Sequence, residues 1–376
     1  NSFCTLLARS STMESAGGKR DRDPSAPREA DVTSPVAQRG PQGEATDGTP
    51  ATVGPPPQAD AGPTIVAVPD RVRVTRKGER FADPKAVSIY FRDFTLDTVV
   101  DRAPPPVDQL KDEQRVAAAD DDHVAKQAAS WEEHYRHNKG LYPIKNYIAQ
   151  AFPTVFLAWE SDDSKAAEAG EDLSLRPPRT IIECGCGVGS ALLPLAGLLP
   201  RDRFIGFDVS KSAVDLMLRH ERTVASGGRI SGFPHDIAAE PLPSEHNGSA
   251  HAVLLVFVLS AVGKSQQQAS LERLRAVMRP DGRLCFRDYG RYDHNERRFY
   301  DGGNRVADGG YVKGDGTQQC FFELEETRQL FKRAGFEEDV PLDYHFNRVH
   351  NRKTDVEMRK VFINGVFKPA AAAPAA

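Results

Sequence analysis

The residues best suited to chemistry lie in one glycine-rich stretch near the middle of the chain, residues 180–190. The pattern predicts a short buried strand, then a tight loop containing Gly185, Gly187 and Gly189, then an apolar helix up to Leu199. A strand, a glycine loop and a helix in this order form the nucleotide-binding unit of an open α/β sheet. Glycine permits the sharp turn and lets a ligand lie directly against the backbone at the helix N-terminus.

Dinucleotides and S-adenosylmethionine (SAM) both bind to loops of this kind. The dinucleotide pattern, started at Gly185, needs a small residue at Ser190, which is present, but Gly189 comes one place early. No Gly-x-x-x-x-Gly-Lys phosphate loop occurs in the chain. Glu183 directly precedes the glycines, and a carboxylate there suits the cationic amino-acid end of SAM and would repel a pyrophosphate. The stretch therefore favours a SAM site over a dinucleotide site, with a turn that binds nothing as the third alternative.

Two further acids follow at strand ends. Asp208 ends a second predicted strand, where an acid can accept hydrogen bonds from both ribose hydroxyls of an adenosine. Asp236 ends a third, where it can accept from the adenine amino group. Taken singly, each acid is better explained as a helix cap or a surface-loop residue. Their order and spacing after Glu183 and Gly185 favour a SAM site.

The elements that must position these residues alternate along the chain. We predict an almost unbroken apolar strand at 251–262, a helix at 265–278, a fifth strand at 283–287, a helix at 323–334, and closing strands at 340–344 and 359–367. Unbroken apolar strands are typical of parallel sheets that helices cover on both faces. We therefore predict an α/β protein with a Rossmann-like, mostly parallel seven-stranded sheet, the class I SAM-dependent methyltransferase fold. Its ligand would bind at the carboxyl ends of the strands.

Composition excludes several other classes. The chain has 376 residues and a net charge of −4, so any nucleic-acid surface must be a local patch. No apolar run reaches the length of a membrane span. Five scattered cysteines do not form a disulfide framework and indicate a reducing compartment. Cys184 and Cys186 could suggest a metal site, but no second Cys or His pair lies at ligand spacing, so we predict no metal.

The predicted domain organisation has five parts. They are a disordered arm (1–85), a helical N-terminal module (86–160), an acidic, turn-rich linker (161–178), the methyltransferase domain (179–368) and a tail (369–376). The arm is rich in Pro, Gly, Ala and charge and lacks a persistent apolar period. Within the module we predict helices at 108–129 and 142–156.

Three downstream stretches carry a specific resemblance: residues 257–262, 286–293 and 311–317, the last with Phe321 and Phe322 behind it. They resemble the eukaryotic methyltransferase-like proteins that make 3-methylcytidine in tRNA. The Arg-Asp-Tyr-Gly and Asp-Gly-Thr segments inside them are far more specific than the glycine loop. The resemblance covers about residues 108–368. It implies a SAM-dependent tRNA (cytidine-N3-)-methyltransferase acting on the anticodon loop, at position 32 by analogy. It also implies that the helical module at 86–160 covers SAM and binds tRNA.

The resemblance also assigns site residues. Trp131 and Tyr135 share a helix face, and without context they are better explained as core anchors. In the family this pair folds over the SAM site, which reverses that preference. The expected cofactor-binding set is Trp131, Tyr135, Glu183, Gly185, Gly187, Gly189, Asp208, Asp236 and Val256, the last standing where the family has an Ile packed on adenine.

The catalytic prediction falls on Arg287, Asp288 and Tyr289, at the end of the fifth strand. We expect Asp288 to hold the exocyclic amine of cytosine, and Tyr289 or Tyr292 to stack on the ring. The structural alternative is that Arg287 and Asp288 pair with each other or with backbone groups.

RNA contacts are expected from basic residues interleaved with aromatic ones. These are Lys145, Arg297, Arg298, Lys313, Arg348, Arg352, Lys353, Arg359 and Lys360. On composition alone, an ordinary solvated surface explains them better. The chain departs from the family at 142–147 and at Gln318, where the family has Arg, and both changes remove positive charge from positions expected to face RNA.

Two other function classes stay open: a SAM-dependent methyltransferase of a protein or small molecule, and a non-catalytic RNA-binding adaptor. The intact glycine loop and Asp208 disfavour the adaptor. The resemblance implies tRNA as partner, with a protein partner such as a tRNA synthetase in some family members. We expect a location in the cytoplasm or the nucleus. A mitochondrial address, suggested by Arg9 and the absence of acids in residues 1–11, is less favoured.

Overall fold

The computed structural model describes residues 92–104, 121–137, 144–306, 309–351 and 355–371. The predictions for the arm at 1–85, for most of the helix at 108–129 and for the end of the tail lie outside these residues.

A single seven-stranded sheet organises the described chain. Nine strands are described, seven of them in this sheet: β1 (Thr180–Cys184), β2 (Arg203–Asp208), β3 (Ile230–Pro234), β4 (Ala250–Val256), β5 (Met278–Tyr289), β6 (Tyr311–Val312), β7 (Gln318–Gln319), β8 (Phe336–Asn351) and β9 (Val356–Pro369). The sheet has the order β3-β2-β1-β4-β5-β9-β8, and β6 and β7 form a separate hairpin. Pairing is parallel from β3 to β5 and antiparallel on both sides of β9. The predicted fold class is confirmed.

Helices cover both faces of this sheet. They are α1 (Asp121–His137), α2 (Ile148–Ala151), α3 (Phe156–Glu168), α4 (Leu192–Leu198), α5 (Lys211–Arg219), α6 (Glu221–Ala225), α7 (Lys264–Val277), α8 (His294–Asp301) and α9 (Leu324–Arg333). Helices α2 to α5 pack in one apolar cluster, the first core, which includes Leu254 and Val256 of β4. Helices α7 and α9 pack in the second core, which includes Leu255. None of the helices in the described ranges is long and apolar enough to cross a membrane.

The region before β1 differs from the prediction. The helix expected at 142–156 is only the short α2, because Pro153 lacks the N–H that an α-helix interior needs, and a new helix, α3, begins after it. That helix runs through the first half of the expected linker at 161–178. The acidic residues of this segment therefore do not mark a loop. The helix buries Phe156 and Ala166, and Asp163 pairs with Arg179.

The closing hairpin is longer than predicted. Strands β8 and β9 pair from Phe336 to Asn351, well beyond the short strands expected at 340–344 and 359–367. The N-terminal segment 92–104 lies against this extension: the N–H of Asp93 donates to the carbonyl oxygen of Phe346 (2.9 Å), and the rings of Phe94 and Phe346 are 5.1 Å apart. Residues 92–104, far ahead of β1 in the sequence, thus pack against the β8–β9 hairpin at the end of the domain.

Candidate active site

The glycine loop lies at the carboxyl end of β1, next to that of β2. Gly185, Gly187 and Gly189 all have positive φ angles, of 61°, 53° and 84°. The N–H of Gly187 donates to Oδ2 of Asp208 (2.8 Å), and the N–H of Ser210 donates to Oδ1 of the same carboxylate (2.9 Å). Asp208 therefore ties the loop after β1 to the end of β2. Burial raises the pKa of Asp208 to about 6. The hydrogen bonds from the two backbone N–H groups favour the ionised carboxylate and so limit this rise.

A cavity opens beside this loop. Its lining includes five of the predicted cofactor residues: Trp131, Tyr135, Gly185, Asp208 and Asp236. Apolar walls come from Phe207, Ile237, Phe257, Val258 and Val262. A mostly apolar cavity with a few convergent polar groups is typical of a cofactor site.

Helix α1 closes one side of the cavity. Glu132 accepts hydrogen bonds from the hydroxyl of Ser210 (2.7 Å) and the N–H of Ser212 (3.1 Å), which fixes α1 to the start of α5. Trp131 and Tyr135, on the same helix, face the cavity. This placement favours the covering role over that of simple core anchors.

The β6–β7 hairpin holds α1 from the other side. Nδ1 of His134 lies 3.1 Å from Oδ2 of Asp315, and the N–H of Gln318 donates to the side-chain oxygen of Gln127 (2.8 Å). Nζ of Lys313 lies 5.0 Å from the centre of a Trp131 ring. Gln318 is buried and lines the cavity, so the structure does not support the expectation that it faces RNA.

Four other predicted cofactor residues lie outside the cavity lining. Gly187 acts through its backbone bond to Asp208, and Gly189 packs against Met217 and Leu193. Val256 is buried in the first core, while its neighbours Phe257 and Val258 line the cavity instead.

The fourth, Glu183, lies behind the loop, where burial raises its pKa to about 8 and the nearby charge of Lys145 opposes that shift. Its Oε2 has no hydrogen-bond partner among the described residues. This atom could accept from a further donor, so a contact to the amino-acid end of SAM stays a prediction.

The three predicted catalytic residues have different surroundings in the structure. Asp288 is fully buried, and its oxygens accept from the N–H groups of Ser260 (3.0 Å) and Tyr289 (2.9 Å). In this position it holds the loop after β4 and presents no oxygen to a cytosine amine. The structure therefore gives Asp288 the backbone-bonded role, and we do not assign it a substrate contact.

Arg287 is also buried, on the opposite face of β5. Its Nη1 donates to Oδ1 of Asn364 (3.2 Å) and to Nδ1 of His345 (2.9 Å). Burial and the charge of Arg287 lower the pKa of His345 to about 2, so that ring is neutral and its Nδ1 accepts. The guanidinium also lies 4.7 Å from the centre of the Phe362 ring, which makes Arg287 a support for the aromatic residues above it.

Of the two tyrosines expected to stack on the base, only Tyr289 lies beside the cavity. Its ring centre is 4.9 Å from that of Phe257, a cavity-lining residue. Tyr292 instead packs against Tyr344 in a separate cluster (6.1 Å). Sequence reasoning missed Phe257 as a residue that lines the cavity, although it opens the first of the resemblance stretches.

The basic residues divide into inward-facing and surface groups. Lys145 donates to the hydroxyl of Ser190 (2.7 Å), and buried Lys360 pairs with Asp293 (3.1 Å), so neither offers a free charge to RNA. The other five described residues are at the surface or partly exposed: Arg297, Arg298, Lys313, Arg348 and Arg359. Arg352 and Lys353 lie outside the described residues.

The residues present fit SAM. The Asp208 carboxylate uses one lone pair on each oxygen for the backbone and keeps further acceptor capacity for ribose hydroxyls. Apolar side chains beside Asp236 suit an adenine, and the rings of Trp131 and Tyr135 suit a sulfonium cation. No group of three or more potential metal ligands occurs among the described residues.

Gly187 offers a test of how closely α1 must approach the loop. A Cβ at Gly187 would lie 2.6 Å from the hydroxyl oxygen of Tyr135 but 3.4 Å from its ring carbon Cζ. We expect Gly187→Ala to displace α1 and weaken binding of S-adenosylhomocysteine (SAH), measured by calorimetry. Adding Tyr135→Phe removes the clashing oxygen and should restore part of the affinity. If the double variant bound no better than Gly187→Ala, the clash would not be the cause.

Comparisons with known proteins agree with this geometry. A family model described as a methyltransferase domain matches residues 182–284. The protein named tRNA N(3)-methylcytidine methyltransferase trm141, from Schizosaccharomyces pombe, is 31% identical over 244 residues, 64% of this chain and 91% of that protein. The Drosophila melanogaster protein named tRNA N(3)-methylcytidine methyltransferase Mettl2 is 32% identical over 243 residues, 63% of this chain and 70% of that protein.

A third relative carries a different name. It is O-methyltransferase 3 from Dictyostelium discoideum, 33% identical over 191 residues, which are 50% of this chain and 43% of that protein. The match thus spans less than half the length of that relative. The two tRNA methyltransferases, by contrast, align over most of their own lengths. The methyltransferase domain and the fit of the cavity identify SAM as the cofactor, and the chain belongs to the tRNA N(3)-methylcytidine methyltransferase family.

Proposed function

We propose that this protein transfers the methyl group of SAM to N3 of a cytidine in tRNA. The observation that carries the proposal is a cofactor cavity with aromatic side chains at its edge, in a chain that aligns with 91% of a tRNA N(3)-methylcytidine methyltransferase. By the family resemblance, the target is cytidine 32 of the anticodon loop.

The reaction asks mainly for placement. N3 of neutral cytosine has a free lone pair, so no side chain needs to remove a proton first, and a positioned general base is not required. When bound, SAM supplies a methyl group that its sulfonium charge activates. The task of the protein is to align the two reactants and to keep water out. Trp131 and Tyr135 on α1, held by Glu132 and by the β6–β7 hairpin, suit that second task.

N3 lies on the pairing edge of the base. A cytidine can therefore react only if it is unpaired or turned out of the helix. Loop RNA, with splayed bases that stack on aromatic side chains, meets this requirement better than a duplex. The half-buried rings of Phe257 and Tyr289 beside the cavity are suited to such a base.

The test is methylation of total tRNA by the purified chain with labelled SAM, followed by nucleoside mass spectrometry. We expect 3-methylcytidine to accumulate with wild-type protein and not with Asp208→Ala. Mapping the product to RNA fragments would test position 32. Accumulation of another methylated nucleoside would contradict the proposed base specificity.

Two outcomes would point elsewhere. If no 3-methylcytidine formed although SAH bound, adding cell extract would separate a missing partner, such as a tRNA synthetase, from a different substrate. A second candidate function, methylation of a protein or small molecule, is favoured by the name of the Dictyostelium relative alone. Labelled protein or small-molecule products in that extract would support it. A location in the cytoplasm or nucleus stays a prediction.

A further inference from the structure

Phe257, directly after β4, has a φ of 61°. A bulky residue adopts this left-handed conformation only where the surrounding structure holds it, and such outliers cluster at active sites. The neighbouring chain is held on both sides. The N–H of Phe257 donates to the carbonyl oxygen of Arg287 (2.8 Å), and the N–H of Ser260 donates to the buried carboxylate of Asp288 (3.0 Å).

The left-handed residue changes the face on which the Phe257 ring lies. Side chains alternate along β4, with Leu254 and Val256 in the first core and Leu255 in the second. Continued alternation would place Phe257 with Leu255. Instead its ring packs against the first core, at the edge of the cofactor cavity. The backbone conformation of Phe257 thus aims the ring, and its strain serves that purpose.

Three rings from three adjacent strands meet at this edge: Phe257 after β4, Tyr289 of β5 and Phe362 of β9. The ring centres of Phe257 and Tyr289 are 4.9 Å apart, those of Phe257 and Phe362 5.5 Å, and those of Tyr289 and Phe362 6.1 Å. All three rings keep part of their surface exposed. By contrast, Phe286, which packs in the second core on the other face of β5, is fully buried.

We propose that Phe257, Tyr289 and Phe362 form the surface on which the extruded pyrimidine of the RNA substrate stacks, and that Phe257 sets its position relative to the cofactor cavity. This inference rests on the proposed function. Enzymes that act on extruded bases hold them by stacking against aromatic side chains. Transfer forms the N3–carbon bond, breaks the sulfur–carbon bond of the donor and moves the positive charge from sulfur to the base. Aromatic faces stabilise such a cation.

The test uses two substitutions in the full chain. Phe257→Gly removes the ring at a position whose φ glycine adopts freely, so the backbone is kept. Phe257→Tyr keeps the ring. We expect Phe257→Gly to lower the single-turnover rate of tRNA methylation about ten-fold or more, since base stacking on one aromatic side chain has an effect of that order. Phe257→Tyr should keep most of the rate. In Phe257→Gly the SAH affinity should fall much less than the rate, while the melting temperature falls because packing against the first core is lost.

A second measurement reports stacking without catalysis. A tRNA with fluorescent pyrrolocytidine at the methylated position should be quenched on binding to wild-type protein and SAH, and remain bright with Phe257→Gly.

Three outcomes would overturn the inference. A wild-type rate and full quenching in Phe257→Gly would show that the ring does not touch the base. Equal fold losses of rate and SAH affinity would show that it only packs the cofactor cavity. If wild-type protein made no 3-methylcytidine under any condition, the proposed function would fail, and the inference with it.

Discussion

Asp208→Ala is expected to lower the affinity for SAH by about a hundred-fold, because two buried N–H groups lose a charged acceptor. These are the N–H groups of Gly187 and Ser210, at 2.8 and 2.9 Å. Their loss frees the glycine loop from β2 and also removes the carboxylate that faces the cavity. Calorimetric titration with SAH measures the effect directly. Methylation should fall with it.

Asp215→Ala is the matched control. Asp215 is a partly exposed carboxylate on α5 that pairs with Lys211, and it lies outside the cavity lining. An exposed pair of this kind contributes little, so SAH affinity should not change. If Asp208→Ala bound SAH as well as Asp215→Ala does, the assigned role of Asp208 would be wrong.

Asp208 also predicts a pH dependence of SAH binding. Burial raises its pKa from the ordinary 3.8 to about 6. Folding therefore favours the protonated form, and the stability that Asp208 contributes is fully present below about pH 3.8 and is lost as the pH rises through 6. Ligand binding has the opposite dependence, because the ionised carboxylate is the better acceptor. SAH affinity should fall as the pH drops through 6.

Asp208→Asn tests whether Asp208 or another buried carboxyl, Asp288, causes this pH dependence. Burial also raises the pKa of Asp288 to about 6, but Asp288 does not line the cavity. We expect the pH dependence of SAH affinity near 6 to disappear in Asp208→Asn. Its persistence there would show that a group other than Asp208 causes it.

Of the substitutions considered, Gly185→Ala should lower the free energy of unfolding most. A Cβ at this position would lie 2.3 Å from Cγ2 of Val258, and φ is 61°. The left-handed backbone costs a side chain about 1–2 kcal/mol. The overlap adds about 1–3 kcal/mol, since Val258 is stiff at χ1 and its loop is held by Asp288. Denaturant unfolding should show the sum, and a shifted Val258 should also disturb Phe257.

Gly227→Ala isolates the backbone part of that loss. Gly227 has a φ of 63°, but nothing lies within 4 Å of its virtual Cβ. It should therefore lose only about 1–2 kcal/mol. Adding Val258→Ala to Gly185→Ala should recover part of the difference by making room for the new methyl group. Equal losses at Gly185 and Gly227 would contradict the steric argument.

Local patterns were enough to predict the cofactor loop. Its glycines sit where the backbone is left-handed, and Asp208 ends its strand as expected, because both features depend on residues close in the chain. Ser210, two residues further on, caps α5 through an equally local contact, in which the N–H of Ala213 donates to its hydroxyl (3.1 Å).

Several predictions that depended on whether a side chain is exposed were wrong. Lys145 and Lys360 looked like RNA-binding charges, yet each bonds inward to a residue distant in sequence. Asp288 looked like a substrate ligand, yet backbone N–H groups surround it. A charged residue type does not reveal whether it is solvated, because its partner comes from another element of the fold.

The sequence by itself determined the fold class and the cofactor loop, since these follow from strand and helix periodicity and from glycines at fixed spacing. The family came from the resemblance carried by residues 257–262, 286–293 and 311–317. Only the tertiary structure decided which residues form the edge of the cavity. Strand β9 inserts beside β5 and brings Phe362 to Tyr289, and a left-handed φ turns Phe257 toward both. Long-range strand pairing and a locally strained backbone are set by packing of the whole domain, which no short stretch of sequence contains.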